Sequence, residues 1–459
     1  MKKGIFLFMM LSLAFISCNK PQNHLYRVQE NGLYGFIDSL GNVVIEPQYK
    51  YVGFFTKDGY ACVVSDIKLE KDSSYSTLND LDSSNISDIA DSCLLITYGY
   101  INLENELVVD TINHIYIPFR SLYDWGDRPL VHFAQKYING QLDFRSNMLH
   151  ELNLSDGLFV FQDEKSKLFG YKDANGKVKI EANYRSCHQF CDGVAVVRDI
   201  KKPINDIGEM LNNAGVIDTD GHLIVSDYTH IQNYNNKGLT WALTTYISRE
   251  ENTIKKDWVQ LDKKGNIKTG PISNIDWIYN TEQFPVCVCN MLGTYYTFLD
   301  ENGDFLSDFN NDKMLQISFK GNERDELFTD VTYFSNGVAG IKGYNQQGES
   351  AWFFIDRNFY PMSEPYDSLL PFSESLAAVK QLTNTGERSP HLGKWGFVKM
   401  ETPDSVISQA IPFSFSECGS FSGGLAYFRN EGSTFDVEGF INKQGNIVWQ
   451  TKRKHNQTE

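Results

Sequence analysis

Short runs in which Val, Ile, Phe and Tyr alternate with polar residues, each closed by Gly and Asn or Asp, fill most of this 459-residue chain. Alternation with a period of two marks a pleated strand with one buried face. The stretch from Leu33 to Val64 contains three such features in order, and worn copies of it recur down the chain. A self-repeating chain stacks one small unit many times, so architecture comes before any site.

The first feature is a strand of the form aromatic-Gly-aromatic-Ile-Asp. It reads Tyr34-Gly35-Phe36-Ile37-Asp38, Tyr98-Gly99-Tyr100-Ile101-Asn102, Phe169-Gly170-Tyr171-Lys172-Asp173 and Ala214-Gly215-Val216-Ile217-Asp218. Weaker copies end at Asp262, Asp300 and Asp356, and a C-terminal pair runs Trp395-Gly396-Phe397-Val398-Lys399 and Glu438-Gly439-Phe440-Ile441-Asn442. The second feature is a turn. Eight of the nine copies end in Asp or Asn, and six carry Gly three residues later, at 41, 176, 221, 265, 303 and 445. That pair of positions is what a hairpin built on a type I turn prefers: the short side chain caps the turn N–H groups and Gly takes the positive-φ position. A second strand follows, as in Asn42-Val43-Val44-Ile45. The third feature is Phe, then Gly or Ser, then a small-residue strand, as in Phe190…Gly193-Val194-Ala195 and Phe421…Gly424-Leu425-Ala426. Small residues there would admit close backbone approach while Phe fills the gap between layers.

The unit is therefore a hairpin plus a return strand, about 43 residues where copies are tight (Asp356 to Lys399 to Asn442), and a tenth, worn copy is sought around Tyr137–Leu142. The expected fold is all-β, with nine or ten three-strand units. A propeller-like ring is favoured over an open β-solenoid array, although nine or ten units exceed the usual four to eight blades. Closure is favoured because Leu25-Tyr26-Arg27-Val28 reads as a return strand with no hairpin before it, and Asn446–Trp449 ends a hairpin with no return strand after it. The first strand would then latch the last unit.

Lys394-Trp395-Gly396-Phe397, Glu46-Pro47-Gln48-Tyr49 and Leu33 to Asp38 resemble the WG-repeat family, named for a Trp-Gly-Phe-Ile-Asp core followed by a Gly-x-Val-Val-Ile-Pro-Pro-x-Tyr stretch. The resemblance covers nearly all of Leu25 to Trp449, though several copies lack the Trp-Gly pair. It implies a β-rich repeat and a binding or envelope role, and it carries over no catalytic residue.

Composition agrees with an all-β core: 41% apolar, 14% aromatic, and few Pro. At the N-terminus Lys2 and Lys3 precede an apolar run, Ile5 to Ile16, too short to span a bilayer. The run ends at Phe15-Ile16-Ser17-Cys18, which resembles the lipobox of bacterial lipoproteins. Phe15 stands where Leu is usual, a looseness shared with lipoproteins of Bacteroidota. The expected organisation is a signal peptide at 1–17, lipidation at Cys18, a tether at 18–24, a repeat domain at 25–451 interrupted by an acidic, Ser-rich loop at 65–92, and a polar tail at 452–459. The expected location is the cell envelope, anchored to the outer membrane and facing the periplasm or the surface. Net charge is −16, and loss of the two signal-peptide lysines makes it −18, which repels phosphate backbones and disfavours nucleic acid. Seven cysteines remain after Cys18, an odd number without a framework, so a disulfide-stapled fold is not expected, although one or two bridges are open to an exported chain.

Candidate chemistry is thin. Cys187-His188 and Cys191-Asp192 lack a second ligand pair, and a small buried thiol packs as a hydrophobe. Cys287 and Cys289 share one strand face and read as core. Asp218-Thr219-Asp220-Gly221 and Asp300-Glu301-Asn302-Gly303-Asp304 have the look of calcium loops without the closing Glu, and turn capping accounts for them. No metal or cofactor is expected. The better lead is the set of aromatics off the repeat pattern, Tyr123, Trp125, Trp277 and Tyr279, together with Trp449. The expected function is a non-catalytic envelope lipoprotein presenting a β-repeat surface to a protein partner. Glycan binding on an aromatic face stands second, and a glycan hydrolase on a propeller third.

Overall fold

The computed structural model describes residues 24–71, 92–118, 150–198, 213–248, 253–273, 275–279, 281, 284–289, 296–305, 316–319, 322–325, 330–344, 350–358, 360–381, 393–402 and 406–454. Nine small antiparallel sheets follow one another as blades of a β-propeller. The last shows the full pattern: a two-residue first strand Glu417–Cys418, then Leu425–Asn430, Phe435–Asn442 and Ile447–Lys454. Blades 2, 4, 5 and 8 have the same four strands, and blades 1, 3, 6 and 7 have three. A separate two-stranded hairpin, Gln316–Phe319 with Asn322–Asp325, lies in the sequence between blades 6 and 7. Among the described residues there is no α-helix, only one 3-10 turn at His150–Leu152.

Each sequence feature has one structural duty. In the turns, Asp38 Oδ1 accepts from Leu40 N and Asn42 N, and the same cap recurs at Asn102, Asp173, Asp218, Asp262, Asp300, Asp356 and Asn442. The glycine of the Trp-Gly position is needed for close approach. A Cβ on Gly35, Gly99, Gly170 or Gly439 would lie 2.0–2.5 Å from a carbonyl oxygen of the last strand of its blade, where the ladder register shifts. The Gly or Ser of the return segment is a turn residue. Asp156-Gly157, Asp192-Gly193, Asn336-Gly337, Glu374-Ser375 and Gly423-Gly424 each have both φ values positive, as a two-residue type I′ turn requires. Close backbone approach thus belongs to the first feature, and a tight turn to the third.

The aromatic before the turn between first and second strands plugs the seam to the preceding blade. Phe55 packs on Phe36, Phe190 on Tyr171, Phe334 on Phe298, Phe372 on Phe354 and Phe421 on Phe397, at 4.7–5.2 Å between ring centroids. Burying such a ring is worth about 1.5–3 kcal/mol, so these seams account for much of the adhesion between blades. Apolar clusters run unbroken from blade to blade, and the largest joins Leu425, Tyr427 and Phe440 of blade 9 to Tyr26 and Val28 of blade 1. The hairpin tips repeat the message. Gly41 sits against Val448 of blade 9 much as Gly221 sits against Ile180 and Gly445 against Ile411 of their preceding blades. The ring is closed.

It is closed without the expected latch. Tyr26–Glu30 pairs with Leu33–Ile37 in blade 1 and not with the last sheet. The return strand of each sequence repeat pairs forward, with the next hairpin, so the N-terminal strand completes the first blade. Two boundaries also differ from expectation. Strand Ala61–Lys71 runs into the stretch read as a loop, and Ile447–Lys454 runs into the stretch read as a tail. Residues 72–91 and the worn copy near Tyr137 lie outside the described residues.

Candidate functional site

Antiparallel blades put the first–second and third–fourth turns at one end of the ring. Tip contacts link them. Asp58 Oδ2 accepts from Asp156 N at 2.9 Å, and Asp156 Oδ2 accepts from Gly193 N at 2.8 Å. Asp192 pairs with Lys57 and, at 2.9 Å, with Lys263, while Glu374 accepts from Gly424 N at 3.0 Å and pairs with Lys443 at 2.9 Å. Ser335 Oγ donates to Phe372 O and Ser373 Oγ to Phe421 O, both at 2.6 Å. Exposed ion pairs contribute little individually, so the backbone contacts do more to order this turn face. The second strands end and the third strands begin at the other end of the ring.

The turn face has one feature that turn chemistry does not require. The residue five positions after the turn Asp or Asn, which opens the last strand of its blade or, at Phe305, forms an isolated bridge, is apolar and exposed in seven blades: Val43, Leu107, Val178, Leu223, Ile267, Phe305 and Ile447, at 36–58% exposure. Scattered surface apolar residues need no explanation, but one at the same place in blade after blade makes a crown around a single face. The ladder shifts register at this point, and Val43–Tyr49 buries Ile45 while leaving Val43 and Val44 exposed. The sequence pattern held this signal in the Gly-x-Val spacing, but exposure depends on what packs over the strand.

The chain enters at the same face. His24 precedes Tyr26 as Gly424 precedes Ala426, and Tyr26 donates its phenol to Gly423 O. Burial, then the Glu374 carboxylate, pushes the Tyr26 phenol up to about 12, so it stays a neutral donor. Burial holds the His24 imidazole below its usual value against the opposing pull of Glu374. Between His24, Tyr26, Phe54, Leu425, Tyr427 and Phe440 lies a cavity of about 440 Å³ at the seam of blades 9 and 1.

The sequence-predicted residues separate. Trp277 occupies the two-residue first strand of blade 6, a repeated position, and its ring packs 5.2 Å from His230 and 5.7 Å from Trp258. It fills a seam. Tyr279 follows it and is 38% exposed. Trp449 lies half-buried against Phe440, and Tyr123 and Trp125 lie outside the described residues. Cys187 is buried, with its thiol pushed up by burial, whereas Asp192 faces Lys57 and Lys263 on the turn face. Cys287 and Cys289 are buried core, and none of the seven described cysteines is bridged. Among the described residues, Asp218, Asp220 and His222 bring three ligand-type atoms within 4.8 Å of one another. His222 there stands where Asn42 and Asn266 stand in sister turns, bonding the same carboxylate oxygen, so the trio is the turn cap with His in place of Asn.

The WG containing repeat family matches residues 34–66, 169–199 and 409–432. Each stretch spans parts of two consecutive blades. No curated protein sequence matches the chain. Among solved structures, the β-propeller domain of the Trilobed protease from Pyrococcus furiosus is 10% identical, with a TM-score of 0.31, covering 80% of this chain and 97% of that one. A crystal structure titled as the eukaryotic initiation factor is 10% identical, with a TM-score of 0.34, covering 65% and 85%. TolB from Acinetobacter baumannii is 10% identical, with a TM-score of 0.26, covering 80% and 77%.

Proposed function

We propose that this protein is a non-catalytic, lipid-anchored envelope protein that offers its turn face to a protein partner. The crown of seven apolar side chains carries this reading, because a repeated exposed apolar position on one face suits a broad, desolvating contact. The recurring acids that could have been catalytic cap their own turns through backbone N–H groups, which supports a binding role. With Cys18 acylated, five residues lie between the anchor and His24, about 20 Å of fully extended chain, so a partner would be met close to the bilayer. The glycan reading loses Trp277 to seam packing.

The test is affinity capture from solubilised envelope with the full chain and with a Leu107→Ser, Leu223→Ser, Ile267→Ser variant. These side chains are exposed, so folding should survive. Enrichment of a defined envelope protein by the parent, lost in the variant, is expected. Identical capture by both would overturn the assignment of this face.

A further inference from the structure

We propose that the cavity at the seam of blades 9 and 1 is an acceptor socket for an apolar side chain presented by an extended segment of a partner protein. This rests on the reading of the turn face as a binding surface, since the socket opens beside His24 and the Ser420–Gly424 turn of that face.

The internal repeats show what such a seam normally holds. Five seams take a Phe from the segment before the turn between first and second strands, and those of blades 4, 7, 8 and 9 are at most 2% exposed. The seam between blades 2 and 3 solves the problem differently. Phe159, on the second strand, packs 5.0 Å from Tyr100, and the run Glu151-Leu152-Asn153-Leu154-Ser155 beside it is wholly buried. Tyr100 donates its phenol to Leu152 O within that run.

The seam between blades 9 and 1 has the first half of this solution, and among the described residues nothing supplies the second. Tyr26 replaces the small residue found at Ala195 and Ala426, and its ring packs 5.5 Å from Phe440. Register fixes the comparison, because Tyr26 faces Ile37 as Phe159 faces Lys172. Counting back alike, Leu154 corresponds to Pro21 and the buried run to Cys18-Asn19-Lys20-Pro21-Gln22. That segment offers only the smaller ring of Pro21 for Leu154 and the polar Asn19 for Leu152, and its Lys would be costly to bury. The cavity of about 440 Å³ left around Tyr26 exceeds one side chain and suits a short stretch of extended chain with a leucine-class residue. Tyr26–Glu30, at the edge of its sheet among the described strands, offers a flank along which such a segment can lie.

The experiment titrates the full chain, detergent-solubilised, with the acetylated, amidated pentapeptide Glu-Leu-Asn-Leu-Ser, a copy of 151–155, and with the version whose second Leu is Ala. Saturable one-to-one binding is expected, roughly ten- to a hundredfold weaker for the Ala peptide. Ser420→Trp, which fills the socket from an exposed rim position, should abolish it. Equal affinities for the two peptides, or binding untouched by Ser420→Trp, would overturn the proposal. So would binding that appears only after deletion of Asn19–Gln22, which makes the chain's own segment the occupant, or self-association blocked by Ser420→Trp, which makes it a second copy. If the peptide fails while envelope capture still depends on Leu107, Leu223 and Ile267, the socket falls and the turn-face assignment stands.

Discussion

Gly439→Ala tests the physical basis of the Trp-Gly position most directly. A Cβ there would lie 2.0 Å from Trp449 O and 2.8 Å from Gln450 Cα, both backbone atoms that no rotamer change can move. Ordinary carbon–oxygen contact is about 3.3 Å, so the fourth strand must retreat by more than about 1 Å. That is roughly a quarter of the ~4.8 Å strand spacing, and bonds of about 2.9 Å stretch past useful length. Losing two or three ladder bonds at about 1 kcal/mol each costs about 2–3 kcal/mol. The lower entropy of the unfolded alanine chain returns about 0.5–1 kcal/mol, which leaves a net destabilisation of about 2 kcal/mol. The comparison is Gly419→Ala, whose nearest atom, Tyr427 Cβ at 3.4 Å, is in ordinary contact. Urea unfolding followed by tryptophan fluorescence should separate the two variants, with Gly419→Ala within about 0.5 kcal/mol of the parent. If Gly439→Ala is equally benign, the fourth strand can slide, and the bulge is not what fixes glycine in the repeat.

Phe421→Ala empties a plug that packs 4.9 Å from Phe397 and should cost about 3–5 kcal/mol in the same assay, whereas Phe421→Leu should cost well under half of that. Asp262 is held well below the usual carboxylate range by hydrogen bonds from Asn266, side chain before backbone, and then by Lys268. A depressed carboxylate contributes stability above its unfolded value of about 3.9 and loses it as pH falls toward the folded value. Asp262→Asn keeps a capping oxygen, as Asn102 and Asn442 do, so its thermal midpoint should fall less steeply than the parent's below about pH 4. Equal acid slopes would mean that the cap does not titrate with folding. Burial pushes the Cys62, Cys187, Cys287 and Cys418 thiols up, while Cys191 is half-exposed. Iodoacetamide at pH 8 should therefore modify Cys191 first in the native protein and all seven in urea, read by mass spectrometry, and rapid native labelling of Cys187 would contradict the burial.

Local chemistry was legible from the residues alone. Period-two alternation set the strands, and Asp38, Asp173 and Asp262 announced their turns because their caps close within four residues of chain. The aromatic return segment, too, was readable as gap filler. Trp277 was misplaced because its strand is two residues long and leaves no period to detect. Asp218 and Asp220 had the look of a calcium loop because a turn cap and a metal loop draw on the same short oxygen-bearing residues.

Tertiary structure alone decided how the pieces pair. A repeat read along the chain ends at its return strand, but the hydrogen-bond ladder runs across that boundary: Leu425–Asn430 pairs forward with Phe435–Asn442, and Tyr26–Glu30 forward with Leu33–Ile37. Sequence cannot fix that phase, because a periodic string looks the same wherever the cut is made. Nor can it say which apolar residues lie inside. Ile45 and Val43 are two positions apart on one strand, and one is core while the other belongs to the crown, because the ladder shifts register between them, Ile45 facing Phe36 and Val43 facing Ile37. Closure into nine blades, the exposed crown and the socket beside Tyr26 are all properties of surfaces meeting between blades distant in sequence, and exist only once the ring has formed.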